Sequence, residues 1–62
     1  SEILSAYQVL VTAGLPSGTR IEHVDFGYKQ ISEGDIYGNP VWRVILNDGT
    51  VMYYNAYTGV KL

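Results

Sequence analysis

The segment from Val41 to Asn55 constrains the fold more than any other. Two runs rich in β-branched and aromatic residues, Val41–Leu46 and Val51–Asn55, flank Asn47-Asp48-Gly49-Thr50. Asp-Gly between such runs favours a two-residue type I′ turn, so this half of the chain predicts a β-hairpin. With Asn47 and Thr50 closing the turn, Leu46 faces Val51, Val44 faces Tyr53 and Trp42 faces Asn55. Arg43 then lies opposite Tyr54 and Ile45 opposite Met52. Trp42, Val44 and Leu46 make the first set the expected core face, leaving Arg43 against Tyr54 on the outer face. A three-residue turn with a bulge at Gly49 would shift this pairing by one.

The remaining elements follow from Gly and Pro. Ser5 and Gln8 have capping-box spacing, and Ile3, Leu4, Tyr7, Leu10 and Val11 recur at helical intervals, predicting a helix of two to three turns. Gly14 suits its left-handed C-terminal position and Pro16 prevents it from resuming. Within residues 20 to 31, Val24, Phe26 and Tyr28 alternate as in a half-buried strand. Ile21 is out of phase with them, which implies a bulge or bend near His23. Ser32-Glu33-Gly34-Asp35 begins a loop that ends with Gly38, Asn39 and Pro40. Tyr57-Thr58-Gly59 reads as a last turn before a short terminal strand, Val60 to Leu62. The expected fold class is α+β: one short N-terminal helix packed on an antiparallel sheet of three to four strands, in two layers.

At 62 residues the chain holds one small domain, 1–62, with a thin core. Its 47% hydrophobic content sets it apart from disordered segments. It has no cysteine, which excludes disulfides and thiolate–zinc sites as sources of stability. The net charge of −2, without clustering of either sign, argues against a nucleic-acid partner. No apolar stretch is long enough for a membrane span. A chain starting at Ser1 rather than Met is expected to be a processed or excised piece of a larger protein.

Groups for chemistry are sparse. His23 and Asp25 share a strand face and offer a dyad or two metal ligands, short of the three or four a metal site needs. An exposed strand histidine is the simpler expectation. Ser1, Ser5, Ser17 and Ser32 occupy helix starts and turns, where serine caps or bonds locally. Glu33, Asp35 and Asp48 are expected as solvated loop charges. The glycines match neither phosphate-binding pattern, G-x-x-x-x-G-K-[ST] or G-x-G-x-x-G. These residues predict no enzyme activity, no metal and no cofactor. Tyrosine is more suggestive, with six copies against one phenylalanine. Half-burial in a thin sheet accounts for rings with polar tips, while a recognition surface also uses Tyr, Trp and Arg. Arg43 and Tyr54 on the outer face, then Tyr37 on the loop, are the candidate partner-binding residues. An unpaired sheet edge is a second route to a partner.

The run Val41-Trp42-Arg43-Val44-Ile45-Leu46-Asn47-Asp48-Gly49-Thr50-Val51-Met52-Tyr53-Tyr54-Asn55-Ala56-Tyr57-Thr58-Gly59-Val60 resembles the signature of PepSY domains. These carry a strand ending in a D-G turn, a returning strand, a D-A-x-T-G-like turn and a short apolar end. The helix, break and strand of the front half agree in layout. Asn55 stands where the family usually has an acidic residue; Asn still accepts the local backbone bonds of such a turn, but any role for the charge is lost. The resemblance implies a non-catalytic interaction module of a secreted or cell-envelope bacterial protein, one that modulates or inhibits a peptidase. It carries no catalytic residue, and Asp48, Gly49, Thr58 and Gly59 are explained by turn geometry. The implied partner is a peptidase or a neighbouring domain. The alternative function is a structural spacer without a ligand of its own.

Overall fold

A computed structural model of the chain describes residues 2–34 and 37–62. Asp35 and Ser1, weighed above as a loop carboxylate and a hydroxyl, lie outside the described residues. The chain runs through α1 (Ala6–Ala13), β1 (Ile21–Lys29), β2 (Asn39–Leu46) and β3 (Val51–Asn55). The three strands form one antiparallel sheet in the order β1-β2-β3, with α1 on one face. This is the expected α+β architecture.

α1 is set by its ends. The Gln8 N–H donates to Ser5 Oγ at 3.1 Å and the Ser5 N–H to Gln8 Oε1 at 2.8 Å, so the capping box closes in both directions. Gly14 ends the helix at φ 64°, a left-handed conformation that leaves a side chain strained. Eight residues alone would be marginal in water, so packing holds the helix. The packed stripe differs from the expected one. Val9 is fully buried with Leu10 and Ala13 beside it, while Tyr7 and Val11 are 77% and 61% exposed. Ala6 and Ala13 flank Val9 at three- and four-residue spacing, and Ala13 packs against the same core.

The β2–β3 register corrects the two-residue turn. Val44 pairs with Met52, Trp42 with Tyr54 and Arg43 with Tyr53, one residue from the I′ prediction. The Gly49 N–H donates to Leu46 O at 3.0 Å and the Leu46 N–H to Thr50 O at 2.9 Å, enclosing a three-residue loop with its bulge at Gly49. Two causes favour it. A type I′ turn needs positive φ at both central residues, whereas here only Gly49, at φ 90°, takes it. The observed register also sets Met52 and Tyr54 beside Val44 and Trp42 on the helix side, where the I′ register would have placed Asn55 against Trp42.

The core therefore lies between α1 and the even-numbered face of the sheet. Val9, Val44, Met52 and Tyr54 form its centre, with Leu4, Leu15, Val24, Trp42 and Leu46 packed around them. The Tyr54 hydroxyl donates to Met52 Sδ at 3.5 Å, which satisfies its polar tip inside the core. Ahead of the helix, the Leu4 N–H donates to Ala56 O and the Trp42 indole N–H to Leu4 O, both at 2.8 Å, tying the N-terminal segment across β2 and β3. β1 pairs with β2 from Lys29↔Asn39 to His23↔Ile45, then shifts between Ile21 and His23, as the phase of Ile21 implied. The expected fourth strand reduces to a single bridge, Tyr54↔Lys61, after a turn over residues 56–58. The Asn55 carboxamide builds that turn by accepting from the N–H groups of Tyr57 (2.8 Å) and Thr58 (3.1 Å).

Candidate functional site

Helix α1 covers one face of the sheet; the odd-numbered residues form the other. Pairing brings Asp25 of β1 opposite Arg43 of β2, and Arg43 opposite Tyr53 of β3, so three side chains cross the sheet in a row. Arg43 grips Asp25 with both ends of its fork, Nε to Oδ1 at 2.9 Å and Nη2 to Oδ2 at 2.5 Å. These hydrogen bonds, with the opposite charge each group meets in the other, hold the Asp25 carboxyl below its ordinary pKa and the Arg43 guanidinium above its own. His23 Nε2 sits 3.4 Å from Asp25 Oδ2, a longer contact that is an ion pair only when the imidazole is protonated. Lys29 places its ammonium 4.5 Å from the centroid of the Tyr53 ring.

All of these but His23 rim a shallow depression of about 370 Å³. Its floor follows from one pairing: Gly27 faces Val41, and with no side chain on Gly27 the Val41 side chain lies beneath the gap. Asp25, Arg43, Lys29 and Tyr53 stand around it. Val41 is only 3% exposed, so what the depression chiefly presents is one carboxylate already paired, two cations and an aromatic ring. Such a surface is suited to holding a side chain or short segment by packing and hydrogen bonds. Among the described residues, its lining holds no serine, threonine or cysteine, and the only hydroxyl-bearing residues in it are Tyr28 and Tyr53. Among the described residues, no three His, Cys, Asp or Glu side chains come together as metal ligands.

Of the three residues expected to bind a partner, the structure brings Arg43 alone to this face. Tyr54 is 3% exposed and belongs to the core, because the bulge at Gly49 turns it to the helix side. Tyr53 takes the place beside Arg43 that the I′ register had given to Tyr54. Tyr37 is 89% exposed on the β1–β2 connection and does not line the depression. Asp25, considered only with His23, turns out to be the partner of Arg43. Its signal was the alternation of β1: once Val24 is set opposite Val44, Asp25 falls opposite Arg43.

No family model, no curated protein and no solved structure matches the chain.

Proposed function

We propose that the chain is a non-catalytic interaction module of PepSY type from a secreted or cell-envelope bacterial protein, and that it binds and restrains a peptidase. The observation that supports this most is the sheet face opposite α1, where Arg43, Asp25, Tyr53 and Lys29 surround a depression above Val41. Arg and Tyr are the side chains enriched where binding energy concentrates. The Arg43–Asp25 fork also fixes the guanidinium before a partner arrives, which lowers the ordering cost of binding. The likeness to PepSY domains in the hairpin and the Asn55 turn supplies the peptidase and the compartment.

The test is a binding and inhibition assay of the purified domain against thermolysin-type secreted metallopeptidases of its own source. Saturable inhibition without cleavage of the domain is the expected result. Replacing Arg43 and Tyr53 together by Ala should weaken it at least about tenfold, the scale of a hot-spot loss, with circular dichroism unchanged. A folded domain that binds none of these enzymes overturns the proposal and leaves the structural spacer.

A further inference from the structure

The hydrogen-bond ladder decides which backbone groups of β1 face away from the sheet. The Leu46 N–H donates to Thr50 O and the Ala56 N–H to Pro40 O, both at 2.9 Å, so even-numbered residues of β2 turn their backbone towards β3. In an antiparallel ladder the direction alternates, so Val41, Arg43 and Ile45 bond β1 through Gly27, Asp25 and His23. The N–H and C=O groups of Val24, Phe26 and Tyr28 therefore point outward. Among the described residues no strand pairs on that side. The opposite edge differs, because the C-terminal residues lie along β3: the Leu62 N–H donates to Tyr53 O and the Asn55 N–H to Val60 O, both at 2.9 Å.

Sheet edges are commonly blunted by proline or a bulge. β1 has no proline, and its one register shift lies between Ile21 and His23, so the edge from His23 to Lys29 is regular. On its helix side Phe26 and Tyr28 stand exposed in edge-to-face contact, ring centroids 5.5 Å apart.

We propose that this edge pairs antiparallel with β1 of a second copy of the chain, about a twofold axis at Gly27, to form one continuous six-stranded sheet. Charge selects both the occupant and the register. To keep the two helices on the same side, even residues must face even ones, and pairing most of the regular stretch from His23 to Lys29 keeps the centre at Asp25, Phe26 or Gly27. Centring on Asp25 sets that carboxylate against itself. Centring on Phe26 sets Asp25 against Gly27 and Lys29 against His23. Centring on Gly27 sets Asp25 against Lys29 of the second copy, twice, and Phe26 against Tyr28, twice. On its outer face β1 carries Asp25 and Lys29 four residues apart about Gly27, so this stretch reversed is its own electrostatic complement. The axis then falls on a non-hydrogen-bonded pair, where the two Cα atoms approach to about 4.5 Å. Gly27 brings no side chain to that approach, and a Cβ built on it meets nothing within 4 Å. The interface is isologous, as a twofold dimer requires.

Sedimentation equilibrium of the 62-residue chain from micromolar to millimolar concentration tests this, together with amide hydrogen exchange. Reversible dimerisation is expected, with protection rising with concentration at the Phe26 and Tyr28 amides. Asp25→Lys and Lys29→Glu should each weaken self-association at least tenfold, because each sets like charges together. Mixing the two variants restores opposite charges at both contacts and should restore the dimer. A monomer at every concentration, protection that rises elsewhere, or folded variants that fail to rescue each other would each overturn the proposal. None of these measurements involves a peptidase, so either proposal can fail alone.

Discussion

Asp25 is held on two sides, by the fork of Arg43 and by the longer contact to His23, and its ionisation reports the order of the outer face. A carboxyl whose pKa is depressed in the folded chain adds stability above its unfolded pKa of about 3.9 and loses it as pH falls through the folded value. Carbon-13 NMR of the Asp25 carboxyl should therefore give a midpoint below the ordinary aspartate value, with the largest part of the shift returned in Arg43→Ala. A midpoint indifferent to Arg43 would contradict the fork as its cause. Asp48 should also titrate low, through its bonds to Thr50, whose N–H it accepts at 2.9 Å. Arg43 could be assigned to the outer face from the alternation of β2 alone. Its neighbours could not, since pairing depends on register, and one residue at Gly49 exchanges Tyr53 for Tyr54.

That exchange originates in the β2–β3 turn. Gly49 lies at φ 90°, and a Cβ placed on it meets nothing within 4 Å. Gly49→Ala should thus cost about 1–2 kcal/mol from backbone conformation alone, measured by urea unfolding, with the outer-face pairing retained. Neutral behaviour would mean that the bulge does not need its left-handed residue. The caps of α1 and the break at Gly14 were legible because each rests on local hydrogen bonds and dihedrals. The buried stripe was not: Tyr7, Val9, Leu10 and Val11 are all apolar, and in eight residues their periodicity does not single out one face. The cluster that Val9 joins, Val44, Met52 and Tyr54 of the sheet, decides it. Val9→Ala should accordingly cost about 2 kcal/mol, from lost transfer and the cavity left behind. Tyr7→Ser should stay within about 0.5 kcal/mol. Equal losses at the two positions would reverse the face.

Across the whole molecule, two thin layers depend on long-range ties. The tail closes over β3 with two backbone bonds, and the segment ahead of α1 is held by Ala56 and Trp42. Deleting Val60–Leu62 removes those two bonds at about 1 kcal/mol each, so thermal unfolding should shift by roughly 2 kcal/mol, with a second sheet edge laid open. An unchanged melting curve would show the tail to be ornamental to stability. The layer arrangement was legible from alternation and turns, whereas the ties were not, because they join residues far apart in sequence through backbone atoms that carry no side-chain signature. One of them has an optical consequence. The chain contains one tryptophan, and its indole N–H is bonded to Leu4 O, 38 residues away. Its fluorescence therefore watches a seam between the first residues and the middle strand: a red-shifted emission with far-ultraviolet dichroism unchanged would record that seam opening while the sheet stays folded.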